Sequence, residues 1–154
     1  GNRSILFDAR NPNAKEIVNK FKKREWWRPL AGSVLLEYAH EYFNFENLKE
    51  SPFMSFAVDA KQKALDEVPS IVHVDNTCRV QTVSQRDNKN YYDLIKSFYE
   101  FTKVPMVLNT SFNLAGNPIV ESIDQLKFTV QNSNFKDIYI PKINDSIENV
   151  IFKC

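Results

Sequence analysis

The chain has 154 residues and carries 20 lysines and arginines against 19 aspartates and glutamates. A net charge of +1 excludes a protein whose main work is coating nucleic acid, so any anion site must be local and nucleic acid is not an expected partner. A hydrophobic fraction of 43%, with 12 Phe and 6 Tyr, argues for one packed domain and against disorder. Asn13 to Lys23 places Ile17, Val18 and Phe21 at helical spacing among charges, which predicts a short amphipathic helix begun near Asn11 to Asn13. That helix leads into FKKREWWRPL, Phe21 to Leu30, where Lys22, Lys23, Arg24 and Arg28 surround Trp26 and Trp27. Pro29 disfavours helix at Arg28, so the end of the segment is expected to be extended, with Lys22, Arg24, Trp26 and Arg28 facing one way. As a helix, Arg24 and Arg28 would still be neighbours. Either way two guanidiniums can converge on one oxyanion, which this group grips through parallel hydrogen bonds. The competing reading is a solvated basic edge with both tryptophans packed beneath it.

Further along, Ala31 to Leu35 is predicted as a buried strand, Glu37 to Phe43 as a helix with Tyr38, Tyr42 and Phe43 inward, and Phe53 to Val58 as a strand. Lys61 to Glu67 reads as a polar turn or short helix. The clearest alternation follows, with Val72, Val74, Cys78 and Val80 on one side and His73, Asp75, Thr77, Arg79 and Gln81 on the other, as in a half-buried strand. Asn88 to Thr102 is the best-patterned helix, its stripe of Tyr91, Leu94, Ile95, Phe98 and Phe101 assigned to the core. Pro105 to Leu108 is a short buried strand that runs into Asn109, Thr110, Ser111, Phe112 and Asn113, and polar residues at a strand end are where open α/β sheets tend to hold ligands. A helix from Ser122 or Ile123 to Asn132, with Ser122 as its cap and Gln125 three residues on, and a strand from Asp137 to Ile140 complete the pattern. Asn144 to Cys154 is ambiguous.

Cys78 and Cys154 match no metal spacing, and neither a membrane-length apolar run nor a signal-peptide pattern occurs. The expectation is a cytoplasmic protein with two free thiols and no membrane partner. Two triplets carry the chemistry. Lys22-Lys23-Arg24 is a K-x-R and Ser111-Phe112-Asn113 an S-x-N, and a cationic pair beside a hydroxyl and an amide can hold and orient a phosphate. Ser111 and Asn113 as plain turn formers ahead of Gly116 and Pro118 is the alternative.

The segments KKREWWRPLAGSVL, SPFMSFAV, HVDNTCRVQTV and LNTSFNLAGNPIV, in this order, resemble the C-terminal domain of the NodU/CmcH carbamoyltransferase family. The resemblance implies a YrdC-like α/β (α+β) fold, a twisted mixed sheet with packed helices and a concave basic ligand site. It implies that residues 1–12, which open GNRSIL without a methionine, are a junction from an N-terminal transferase domain, with 13–154 as the YrdC-like domain itself. The implied chemistry is formation of carbamoyl adenylate from carbamoyl phosphate and ATP, with Mg²⁺ accompanying the ATP, and transfer to a small-molecule hydroxyl by the N-terminal domain of the same polypeptide. Carried across, Lys22, Arg24, Arg28 and Arg79 would bind phosphoryl and carbamoyl oxygens. Ser111 and Asn113 would position the nucleotide phosphates, with Asn109 and Thr110 in support, and His73 would contact the carbamoyl group.

Two of these assignments have structural competitors: a salt bridge between Arg79 and Asp75, and a purely structural hydrogen-bonding role for His73. Gly32, Asn76 and Asn117 depart from the family pattern, and the segment beyond Ser122 resembles it poorly. Rival readings are a threonylcarbamoyl adenylate synthase and a non-catalytic nucleotide- or RNA-binding module.

Overall fold

A computed structural model describes residues 3–133, 135, 137–140 and 150–153, the last four by their backbone only. A six-stranded mixed sheet organises the chain. In order across it lie β1 (Ser4–Phe7), β6 (Met106–Ser111), β2 (Ala31–Leu35), β5 (Thr77–Val83), β4 (Ala57–Ala60) and β3 (Phe43–Asn44). Only β2 and β5 pair in parallel; every other neighbour is antiparallel. The helices are α1 (Ala14–Phe21), α2 (Leu36–Tyr42), α3 (Gln62–Glu67), α4 (Lys89–Thr102) and α5 (Ile123–Gln131), with a 3₁₀ turn over Pro69–Ile71. A separate pair joins β7 (Asp137–Ile140) to β8 (Val150–Lys153), which gives part of the ambiguous tail a strand.

Every residue of β2 is buried, as expected of a central strand covered on both faces. One face of the sheet, with Val34, Val80, Cys78, Met106 and Leu108, packs against Val18 of α1, Ala64 of α3 and Ile71. The other, with Leu35, Val83 and Val107, packs against Tyr91 and Ile95 of α4. Helix α4 starts where Asn88 accepts the backbone N–H of Tyr91 and ends with Lys103 in the left-handed conformation.

Gly32 has a packing reason. A Cβ there would lie 2.5 Å from Ile71 Cδ1, so the space a side chain would need is filled by the neighbouring isoleucine. Gly32→Ala is expected to destabilise by about 1–3 kcal/mol, the usual range for core overpacking, and Gly32→Ala with Ile71→Val to recover most of it, as read by urea unfolding.

Four expectations are corrected. The strand predicted over Phe53 to Val58 spans only Ala57–Ala60, because Phe53 and Phe56 face solvent at 85% and 49% exposure instead of packing inward. Val74 is 99% exposed in a tight turn from His73 to Asn76, so the alternation that seemed to begin at Val72 becomes a strand only at Thr77. In that turn Asn76 takes φ +61°, the left-handed backbone asparagine tolerates. Phe101 lies 90% exposed and Leu94 is partly open, so the buried stripe of α4 is narrower than its apolar pattern. Trp26 and Trp27, at 73% and 56% exposure, are not packed beneath the basic segment. Cys78 is a free buried thiol, pushed up to about 12 by desolvation and then by the Asp75 charge, and Cys154 lies outside the described residues.

Candidate anion site

The basic segment is neither extended nor helical. It is the C-terminal turn of α1, in which Lys22 caps the helix and Lys23 takes φ +52°. The N–H of Lys23 then donates to the Lys20 carbonyl and that of Arg24 to the Asn19 carbonyl, the reciprocal pair of a Schellman turn. A left-handed lysine costs about 1 kcal/mol relative to glycine. What it gains is direction: Lys22 and Arg24, on either side of Lys23, both turn toward the end of β6.

There Lys22 meets the second triplet. Its ammonium donates to Ser111 Oγ at 3.1 Å, to Asn113 Oδ1 at 3.0 Å and to the Ser111 carbonyl, contacts that span 89 to 91 positions of sequence. These acceptors take all three N–H bonds a lysine has. Ser111 Oγ also donates to Asn113 Oδ1 at 2.6 Å, and the Asn113 amide donates to the Asn117 carbonyl at 2.8 Å. The Ala115 N–H donates to the Lys22 carbonyl, so the loop after β6 is strapped to the end of α1. Lys22 is 2% exposed, and burial, then the Arg24 charge, bring its ammonium down to about 8.

Arg24 bears a buried donor that nothing among the described residues satisfies. Its Nε donates to Asn19 Oδ1 at 2.5 Å, whereas its Nη2 is buried without a partner. Burial, followed by the charges of Arg28 and Arg79, lowers its pKa. Arg28 donates to Glu25 at 2.7 Å on the open side. Arg79 is exposed and has no hydrogen-bond or carboxylate partner among the described residues. The proposed salt bridge to Asp75 does not form, since that carboxylate accepts from the Thr77 N–H and hydroxyl.

A hollow of about 620 Å³ is lined by Lys22, Lys23, Arg24, Glu25, Arg28, Ser111, Asn113, Ala115 and Gly116, and Arg79 lies outside that lining. Four cations face a single carboxylate. Such a surplus, with an unpartnered guanidinium nitrogen inside it, is an arrangement that an anion would complete.

The remaining candidates fall outside the lining. Asn109 is 3% exposed and lies in a buried polar layer, its amide donating to Ser33 Oγ at 2.8 Å and Gln81 Oε1 at 3.2 Å. Ser33 donates to Gln81 and Gln81 to the Pro52 carbonyl, which ties β6, β2, β5 and the loop before β4 together under the site. The Tyr91 hydroxyl approaches Ser33 and Asn109 without a sound hydrogen bond, and burial pushes it up to about 12. Thr110 points to the opposite face from Asn109 and Ser111 by strand alternation. His73 has both ring nitrogens near local oxygens, Thr77 Oγ1 at 3.1 Å and the Leu30 carbonyl at 3.4 Å, the structural role weighed against ligand contact.

Asn19 is the residue that sequence reasoning missed. Fully buried, it accepts from Arg24 and donates through Nδ2 to the Trp26 and Arg28 carbonyls at 2.9 and 3.0 Å, holding the whole basic turn. The available signal was an amide within one turn of a cationic run.

Residues 1–144 match the family described as Carbamoyltransferase C-terminus, a match that continues past Ser122, where the resemblance seemed to fade. The chain is 45% identical over 125 residues to nodulation protein NolNO of Sinorhizobium fredii, covering 80% of this chain and 18% of that protein. It is 44% identical to nodulation protein NolO of Bradyrhizobium diazoefficiens over 80% of the chain and 23% of the relative. Against nodulation protein U of Rhizobium tropici it is 34% identical, over 75% and 20%. The chain thus spans about a fifth of the length of these relatives.

Proposed function

The chain belongs to the carbamoyltransferase C-terminus family, and on that premise we propose that it forms carbamoyl adenylate from carbamoyl phosphate and ATP within a longer O-carbamoyltransferase. The observation that carries the reading is the meeting of Lys22 with Ser111 and Asn113 beside the unpartnered Nη2 of Arg24. In the proposed reaction carbamoyl phosphate is hydrolysed to carbamate and inorganic phosphate. A carbamate oxygen then attacks the α-phosphorus of ATP, forming one P–O bond as the bond to the bridging oxygen breaks. Pyrophosphate leaves with that electron pair.

Two anionic reactants must approach each other, so neutralisation and alignment are the chief demands on the protein. Arg24, Arg28 and Arg79 supply planar donors to phosphoryl and carbamate oxygens. Lys22, whose N–H bonds are occupied, contributes charge and holds Ser111 and Asn113 in place. Asn109 and Asn19 act from beneath by fixing β6 and the basic turn. Among the described residues no three His, Cys, Asp or Glu side chains gather as a metal centre requires. Glu25 is the carboxylate that lines the hollow, and a Mg²⁺ accompanying the ATP would rest mainly on the nucleotide's own phosphates.

On this reading, passage of the carbamoyl group to a small-molecule hydroxyl belongs to an N-terminal domain of the same polypeptide. The reaction takes place in the cytoplasm, where both phosphorylated substrates are found. Among the described residues no helix is long and apolar enough to cross a membrane. The test is pyrophosphate release by the purified chain. Release is expected with ATP and carbamoyl phosphate together, and not with either alone. Release supported instead by threonine and bicarbonate would make the chain a threonylcarbamoyl adenylate synthase, and none under any condition would leave a binding module.

A further inference from the structure

Arg79 stands outside the hollow. Its register partner is Ala57, the first residue of β4, and the segment that leads into that residue runs from Ser51 to Phe56. Strand order puts this segment on the β4 side of Arg79 and the Ser111–Asn113 turn on the other side, beyond β2. Its first residue is fixed to β5. The Ser51 N–H donates to Thr82 Oγ1 at 2.8 Å, the Ser51 hydroxyl to the Val80 carbonyl at 2.9 Å, and the Thr82 N–H to the Ser51 carbonyl at 2.9 Å. Both ends of the segment are therefore clamped to one strand.

What lies between is not held by packing. Phe53 and Phe56 turn to solvent, and Met54 takes φ +55°, a left-handed backbone uncommon for a residue with a long side chain. Strain of this kind persists only where the surroundings over-determine it. A further anchor comes from Gln81. Its Nε2 donates to the Pro52 carbonyl at 3.0 Å, and its Oε1 accepts from Ser33 Oγ at 2.9 Å and from Asn109 Nδ2 at 3.2 Å. Because an amide has a donor end and an acceptor end, these partners admit one orientation only. By strand alternation Gln81 shares a face of β5 with Arg79, and Asn109 shares a face of β6 with Ser111. One side chain thus ties the strand that ends in Ser111 to the loop that borders Arg79.

We infer that Gln81 is a positioning residue for the reaction, holding the Pro52–Phe56 loop as the wall of the site beyond Arg79 and keeping the end of β6 aligned with it. The inference rests on the reading that Arg79 meets phosphoryl or carbamate oxygens. Gln81 is not among the residues that line the hollow. Loss of its bonds should therefore slow the chemical step and leave the hollow able to bind phosphate groups, whereas a purely structural glutamine would change stability alone or weaken binding and turnover together.

Gln81→Glu tests it on the whole chain, because the substitution keeps the acceptor and makes the donor depend on pH. As a carboxylate the new side chain accepts from Ser33 and Asn109 but repels the Pro52 carbonyl; once protonated it can donate to that carbonyl again. Desolvation and the facing carbonyl should raise this carboxyl above the ordinary glutamate value. At about pH 8 the kcat for carbamoyl-phosphate-dependent pyrophosphate release is expected to be about tenfold below the parent's, within the roughly 100-fold that a 1 Å displacement can cost. The ratio of variant to parent should climb back toward unity as the pH falls to about 5.5. KM for ATP, and pyrophosphate affinity by calorimetry, should stay within about twofold of the parent throughout, which also certifies that the variant is folded. Gln81→Met removes both kinds of bond at similar volume and should show the loss without the recovery. A kcat ratio near unity at pH 8, a ratio in Gln81→Glu that does not change with pH, or a parallel loss of pyrophosphate binding would overturn the positioning role while leaving the phosphate site standing. Failure of the parent chain to release pyrophosphate would overturn the underlying functional reading, and this inference with it.

Discussion

Arg24→Ala is expected to lower carbamoyl-phosphate-dependent pyrophosphate release by at least about 100-fold, the scale on which a single preorganised electrostatic contact acts in a transition state. The same change should not destabilise the fold. Arg24 bears a buried nitrogen without a partner and sits within reach of two like charges, so its presence costs stability in the absence of ligand. Alanine removes both penalties, at the loss of one hydrogen bond to Asn19. The melting temperature of the variant should equal or exceed that of the parent. Arg24→Lys should remain strongly impaired, because an ammonium cannot reproduce the planar fork. Unchanged turnover in Arg24→Ala would remove this residue from the site, whereas a large drop in melting temperature would show that it serves the fold.

Lys22→Met should have the second largest effect, and its signature is in pH. The folded-state value of Lys22 is about 8, below the ordinary lysine value of 10.5. Below pH 8 the side chain is charged in both the folded and the unfolded chain. Between about 8 and 10.5 the unfolded chain still binds the proton and the folded chain has released it, so this group's contribution to stability rises with pH across that window. It is fully present above the unfolded value and lost as pH falls through the folded one. Anion affinity moves the other way, because the charge that attracts the ligand disappears above pH 8. Pyrophosphate binding by the parent chain is expected to be flat from pH 6 to about 7.5 and to fall beyond 8, once corrected for the ligand's own ionisation. In Lys22→Met binding should be weaker by about tenfold at pH 7 and lack that fall, and denaturant titrations should show the stability rise only in the parent. A parent chain with no inflection near pH 8 would mean that the ammonium remains charged in its three-acceptor cage.

Much of this was legible in the order of residues, and the reasons differ by element. The buried run of β2 and the periodic stripe of α4 were found because burial writes a period into composition. Phe53, Val74 and Phe101 misled for the opposite reason: each is a large apolar side chain on the outside, where the hydrophobic pattern carries no information about burial. The two triplets were correctly suspected of sharing a hollow, but the route was not foreseen. An extended K-x-R was expected, and a Schellman turn with a left-handed lysine delivers the same two side chains. The polar layer of Ser33, Gln81 and Asn109 could not be read at all, since it depends on the register that sets Ser33 beside Gln81 and Ala31 beside Asn109. Asn19 escaped notice because two of its three partners are backbone carbonyls, which leave no mark in a sequence.

The turn that carries the cations also holds every tryptophan in the chain, side by side at Trp26 and Trp27 and open to solvent. All of this chain's indole emission therefore originates within a few residues of Arg24 and Arg28. Occupancy of the neighbouring hollow should perturb its intensity or wavelength, giving the unlabelled chain an optical readout that reports on this corner of it.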